Sequence, residues 1–143
     1  MRNIVNAIFL SSAGILLARR SPSKKAYPNL WSFPGGHVED QETLEQTLTR
    51  EITEELGVDA EDFSFLTRLS DPNFIASPVV YHMFLVTRWT GVPQIVNDEH
   101  TDLRWFTIDD AQNLNDLVFQ EYRHIFEMVQ QKLPCTATKS NRD

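Results

Sequence analysis

Apolar residues crowd into Ile4–Leu10 and again into Gly14–Arg20, with only Ser11-Ser12-Ala13 between them, which predicts two strands joined by a tight turn. Ser21–Asn29, with Pro22, Pro28 and the Lys24-Lys25 pair, reads as loop. Leu30–Phe33 predicts a brief strand leading into Pro34-Gly35-Gly36, where glycine is expected to permit a sharp reversal beside a ligand. From Thr43 to Leu56 apolar residues recur every fourth position, at Leu44, Leu48, Ile52 and Leu56, and Gly57 is placed as a C-terminal cap. That spacing predicts a helix. Phe63–Leu69, Val79–Trp89 and Leu103–Phe106 carry the β-branched and aromatic content of strands. A last helix is expected over Asp116–Gln131, with Leu117, Tyr122, Ile125, Phe126 and Val129 on its apolar face and Pro134 just past its end. No repeat, low-complexity tract or linker divides the chain. Residues 1–134 are therefore expected to form one domain, and the polar tail from Cys135 to Asp143 is expected to fray.

Composition narrows the function more than the fold. At 143 residues the chain can enclose one core, and 41% hydrophobic with 23% charged residues is ordinary for a globular domain. A formal charge of -7 argues against a broad phosphate-neutralising surface for nucleic acid, which needs clustered Lys and Arg. Small anions arriving with a metal fit the balance. The single cysteine, Cys135, can form no internal disulfide and lies far from the acidic helix, so a thiol mechanism has little support and a reducing compartment fits. The N-terminus lacks a long hydrophobic region with a cleavage site, and nowhere do eighteen apolar residues run together. The expected location is cytoplasmic and unanchored, as a monomer or a homodimer.

The helix carries the candidate chemistry. At about 100° per residue its apolar stripe is bordered by Glu51, Glu54 and Glu55, spaced i, i+3 and i+4 beside buried surface. Two readings follow: a solvated acidic face, or a partly dehydrated seam of like charges that a divalent cation neutralises. Oxygen ligands alone select magnesium or manganese over zinc. Arg50, one turn before Glu54, either holds a carboxylate in place or forms a surface ion pair worth little. Glu42, near the helix start, is expected to favour the N-terminal dipole.

Gly36, Glu42, Arg50, Glu51, Glu54, Glu55 and Gly57, with Ile52 and Val58 at the aliphatic positions, stand at the spacing of the Nudix box. Each fixed residue type occurs at roughly 5 to 7 per cent, so chance coincidence is on the order of one in a hundred million. The chain thus resembles the Nudix hydrolases, which cleave nucleoside diphosphates linked to another group. The resemblance implies an α/β/α sandwich with a mixed central sheet. It also implies hydrolysis dependent on Mg2+, with Mn2+ substituting: Glu51, Glu54 and Glu55 ligate the metal, a Gly35 carbonyl joins them, and Arg50 orients the glutamates. In related enzymes a later loop brings a further ligand or base. Asn97-Asp98-Glu99-His100 resembles that loop, and Glu99 is the candidate.

Leu16-Leu17-Ala18-Arg19-Arg20 and Leu30-Trp31-Ser32-Phe33-Pro34-Gly35-Gly36 resemble the nucleoside triphosphate branch typified by MutT-type enzymes. This makes Arg20 a candidate nucleotide contact and Phe33 a border of the base pocket, with Gly36 beside the substrate; a solvated arginine and a core phenylalanine are the competing readings. His37 either approaches phosphate or is a surface residue. Three departures stand out: Gln41 where the box usually has Gly, Thr47-Leu48 where it usually has two Ala, and Asp116-Leu117-Val118-Phe119-Gln120 where readers of 8-oxoguanine have Pro-Pro-Ala-Asn. Gln120 is the amide near the position of interest. The expected activity is cleavage of a (deoxy)nucleoside triphosphate to the monophosphate and pyrophosphate. The alternatives are ADP-ribose or dinucleoside polyphosphate hydrolysis, or a noncatalytic nucleotide sensor.

Overall fold

The computed structural model describes residues 2–71 and 77–133. Its strands are β1 (Arg2–Ser11), β2 (Gly14–Arg20), β3 (Trp31–Ser32), β4 (Gly35–His37), β5 (Asp59–Ser70), β6 (Val79–Thr90) and β7 (His100–Phe106). The helices are α1 (Leu44–Leu56), α2 (Ile108–Gln112) and α3 (Tyr122–Lys132). The main path of the mixed sheet runs β3-β2-β1-β6-β5, with β4 pairing to β1 and β7 to β2.

β1 is the hinge of this arrangement. It is parallel to β6 from Arg2 to Phe9, yet meets β2 only at Leu10–Ser11, where the two make a hairpin. Below the hairpin β1 accepts β4 instead, while β2 takes β3 and β7. The two halves of the sheet therefore part at the end of β1 that carries Ile4 and Asn6, and a cleft opens there.

Both faces of β1 are covered, and the alternation of side chains on a strand separates two cores. Val5, Ala7 and Phe9 pack with Leu48, Ile52 and Leu56 of α1. Ile8, on the other face, packs with Phe33, Met83, Tyr122, Ile125, Phe126 and Val129 beneath α3. The result is the expected α/β/α sandwich. Leu48, Ile52 and Leu56 are at most 1% exposed, which is what their four-residue spacing requires.

α1 is defined at both ends. Thr43 caps it and Gln46 reaches back to complete a capping box, while Gly57 closes it in the left-handed conformation at φ 70°. β5 and β7 are longer than the strands expected, and α2 was not anticipated. The Pro34-Gly35-Gly36 segment is not a reversal: Gly35 and Gly36 lie in β4, paired with Asn6 and Val5, and neither has a positive φ.

The last helix is shorter than the sequence pattern indicates. Residues 116–118 run alongside β3, where Trp31 N–H donates to the Asp116 carbonyl and Val118 N–H to the Trp31 carbonyl, both at 2.9 Å, and residues 119–121 turn into the helix. A short edge strand thus takes backbone groups that a helix would have used. Leu117 is still buried, but from an extended segment. Pro134 and the tail from Cys135 lie outside the described residues. No helix among the described residues is long and apolar enough to cross a membrane.

Candidate active site

The glutamates of α1 differ in exposure because they sit at different distances from its apolar stripe. Glu55 is 5% exposed, whereas the side chain of Glu51 is 13% exposed and that of Glu54 57%. Burial first, then a hydrogen bond shared with Glu51 and the charges of Glu51 and Glu99, push the Glu55 carboxyl up to about 9; the Gly35 backbone acts in the opposite sense. Glu55 Oε1 is buried without a hydrogen-bond partner. In the absence of a cation this carboxyl holds its proton at neutral pH.

Arg50 is surrounded by acceptors. Its Nε and Nη2 fork onto Glu42 at 2.6 and 2.9 Å, Nη1 donates to Glu51 at 2.8 Å and to Glu54 at 3.3 Å, and Nη2 also reaches the His37 carbonyl at 3.1 Å. Glu42 is held down to about 2, chiefly by the Arg50 hydrogen bond. Its Oε1 also accepts from Glu39 N–H at 3.0 Å and from the Thr47 hydroxyl at 2.8 Å. Glu42 therefore anchors the arginine, a more specific task than the dipole interaction expected of it. Thr47, one of the departures from the box, is fully buried and joins this network.

The two glycines are required for space rather than for backbone angle. A methyl on Gly35 would overlap the Val5 carbonyl of the neighbouring strand, and a methyl on Gly36 would overlap the Glu51 carboxylate. Close approach of β4 to β1 and of Glu51 to β4 both depend on these positions.

Glu99 precedes β7, and its carboxylate is paired with Lys24, which holds it below the usual carboxylate range. Its carbonyl accepts from Ser21 N–H at 3.1 Å, so the Ser21–Asn29 loop is tied to the Glu99 loop. Arg20 N–H and Nε donate to the carbonyls of Leu30 and Ala26, which fixes the arginine against the same loop.

These side chains line one cavity of about 470 Å³. Of the residues singled out from sequence, Arg20, Phe33, Gly35, Gly36, His37, Arg50, Glu51, Glu54, Glu55 and Glu99 all border it. Phe33 is also a core residue, 2% exposed and with its ring 4.7 Å from that of Tyr122, so both of its readings hold. His37 is exposed. Gln120 is exposed too, does not border the cavity, and accepts from Arg123 Nε at 3.0 Å. Sequence reasoning missed Asn6, Lys24, Tyr27, Tyr81 and Phe119, which also line the cavity. A polar Asn6 inside the apolar run Ile4–Leu10 was the available signal.

The donor set fits a hard divalent cation: carboxylate oxygens border the cavity, and one buried carboxylate oxygen lacks any partner. Among the described residues, however, no three His, Cys, Asp or Glu side chains converge on a common point. The reason is local, since Glu51 and Glu54 are drawn to Arg50 and Glu99 to Lys24.

Similarity to known proteins agrees with this geometry. Residues 1–128 match the NUDIX domain model. The chain is 32% identical over 113 residues to an 8-oxo-dGTP diphosphatase of Buchnera aphidicola, covering 79% of this chain and 82% of that one. It is 35% identical over 110 residues to an isopentenyl-diphosphate Delta-isomerase of Salmonella arizonae, covering 73% of this chain but only 60% of the isomerase. A MutT NUDIX hydrolase structure from Burkholderia pseudomallei superposes with a TM-score of 0.78 at 29% identity, covering 90% of this chain and 97% of that one. A NUDIX match along nearly the whole described chain, on a fold that gathers Gly36, Arg50, Glu51, Glu54 and Glu55 of the box around one cavity, shows that the chain belongs to the Nudix family.

Proposed function

We propose that this protein is a divalent-metal-dependent pyrophosphohydrolase acting on a (deoxy)nucleoside triphosphate, releasing the monophosphate and pyrophosphate. The observation that carries this reading is Glu55: a carboxyl buried beside Glu51, with an unpartnered oxygen, at a cavity that also presents Arg20 and Lys24. Such a group is costly to ionise unless a cation joins it. Glu51, Glu54 and Glu55, with the Gly35 backbone, would hold that ion. When bound, a divalent cation offsets diphosphate charge and eases deprotonation of water.

The chain's own residues supply the rest. Arg50 positions Glu51 and Glu54 through the hydrogen bonds above. Glu99, kept ionised by Lys24, would accept a proton, and Lys24 and Arg20, which border the same cavity, would meet phosphate oxygens. The aromatic rings of Tyr27, Tyr81 and Phe119 offer faces for a base; Phe119 stacks edge-on against both tyrosines, with centroids 5.1 and 5.2 Å away.

A panel of nucleoside triphosphates, nucleotide sugars, dinucleoside polyphosphates and isopentenyl diphosphate, assayed with magnesium and with products identified by mass, tests this reading. Nucleoside monophosphate and pyrophosphate are the expected products. Activity should vanish with chelator and return with Mg2+ or Mn2+; full turnover in metal-free buffer overturns the proposal. Isomerisation of isopentenyl diphosphate without nucleotide hydrolysis would assign the acidic site to isoprenoid chemistry, which the similarity to the isomerase makes the second reading.

Gly36→Ala offers a structural check on the same site. The new methyl must displace the Glu51 carboxylate, so kcat should fall by roughly a hundredfold, the scale of losing one electrostatic stabiliser. The fold should persist, because the clash is with a side chain rather than with backbone. Unaltered turnover in this variant would remove Glu51 from the site.

A further inference from the structure

The cavity has a floor that the hydrolytic machinery does not use. On β1, Ile4 and Asn6 share a face with Ile8, whose neighbours lie beneath α3, whereas α1 and its glutamates cover the opposite face through Val5, Ala7 and Phe9. Asn6 therefore borders the cavity away from the face against which α1 packs. In register it lies beside Met83 of β6, two residues along from the Ile4–Tyr81 pair and on the same face. Its aromatic companions there are Phe33, Tyr81 and Tyr122.

Asn6 is only 6% exposed, and its amide is oriented by a single interaction. Nδ2 donates to the Phe33 carbonyl at 2.8 Å, which leaves Oδ1 as the free end of the group. Oδ1 is buried and has no hydrogen-bond partner. A buried carbonyl without a donor is disfavoured, and polar atoms of this kind mark a missing partner. The Phe33 contact accounts for Nδ2 but leaves Oδ1 without a structural role, in a run from Ile4 to Leu10 that is otherwise apolar.

Building on the nucleotide reading above, we infer that Asn6 is a specificity-determining residue whose carbonyl oxygen accepts a hydrogen bond from the exocyclic amino group of a nucleobase. The amino group projects beyond the ring edge, so a base slid between the aromatic walls presents it deepest, where Oδ1 waits. A base lacking that donor leaves Oδ1 unpaired, and the site rejects it for that reason. The preferred substrates are thus amino-bearing bases, with thymine disfavoured.

The test compares deletion pairs: the triphosphates of deoxyguanosine, deoxyadenosine and deoxycytidine against those of deoxyinosine, purine deoxyriboside and pyrimidin-2-one deoxyriboside, each lacking the amino group of its counterpart. In the wild-type protein at least one pair should differ by about 10- to 100-fold in kcat/KM, the range expected for one buried hydrogen bond. In Asn6→Leu, which keeps the heavy-atom branching of Asn without its polar atoms, that ratio should collapse below threefold. Asn6→Ala serves the same purpose if the leucine variant folds poorly. Both variants leave the Phe33 carbonyl unpaired, so a purely structural role would depress the two members of a pair in parallel and preserve their ratio. A ratio near one in every wild-type pair, or one undiminished in the variants, overturns the assignment. Failure of the wild type to hydrolyse any nucleotide instead overturns the hydrolase reading and this inference with it.

Discussion

Glu55→Gln is expected to lower kcat by about a hundredfold to a thousandfold, as for loss of one preorganised electrostatic group, while the metal-free protein becomes no less stable. The second half of this result follows from burial. Glu55 is held up to about 9 in the folded chain against an ordinary 4.5, so between those values the folded state binds a proton that the unfolded state has released. Its contribution to stability is complete below about pH 4.5 and is lost as pH rises through about 9. Glutamine keeps the size and hydrogen bonding but never ionises, so this loss should disappear.

Other groups titrate elsewhere. His82 and His100 are held below the ordinary 6.5 by burial, His100 down to about 4, so their contributions are present above 6.5 and are lost as pH falls. Glu42 and Glu99 are depressed as well, and weaken the fold only under acid conditions. Denaturant unfolding of metal-free protein between about pH 7 and 9 thus isolates Glu55. The wild type should lose stability across that window and Glu55→Gln should not. Magnesium should stabilise the wild type increasingly as pH rises, because the ion and the proton compete for one carboxylate. Equal slopes in both proteins, or near-normal turnover in the variant, would remove Glu55 from its role.

Arg50→Ala should have the largest effect on stability. The side chain is 24% exposed and partners Glu42 and Glu51, themselves 18% and 13% exposed. Deleting it leaves two half-buried carboxylates facing each other without a cation, which destabilises the fold. The expected readout is a fall in Tm of at least about 4 °C. Arg50→Lys should recover less than half of this, because an ammonium cannot reproduce the fork onto Glu42 or span to Glu51 and the His37 carbonyl together. As a positioning residue, Arg50 should affect kcat by at least about tenfold while KM stays within a fewfold, since it holds glutamates rather than substrate. Thermal melts and steady-state kinetics on the two variants check both parts. A Tm within about 2 °C of wild type in Arg50→Ala would reduce the network to surface ion pairs.

Local chemistry was legible in the sequence wherever neighbours in the chain decide the outcome. The four-residue spacing of Leu44, Leu48, Ile52 and Leu56 specified α1 and its buried face, and Thr43 and Gly57 marked its ends within a residue. The box spacing placed Arg50, Glu51, Glu54 and Glu55 on one side of that helix, and the family membership it implied is shown by the domain match. Strands with both faces buried were equally readable, because apolar runs of that length have few other uses.

What depends on distant parts of the chain was decided by the tertiary structure alone. Periodicity extended the last helix back to Asp116, but the edge of β3 claimed the backbone of residues 116–118 and left Gln120 in the turn before α3. Sequence treated the three glutamates as one seam; only packing against β4 and β1 made Glu55 buried and protonated while Glu54 stayed in water. The Lys24 partner of Glu99 lies 75 residues away, and Asn6 meets Phe33 across 27. Helix periodicity and caps act over a few residues, so a single sequence carries them. Burial, charge pairing and an orphaned acceptor arise from which strands lie side by side, and these were set when β1 parted from β2 and took β4 and β6 as neighbours.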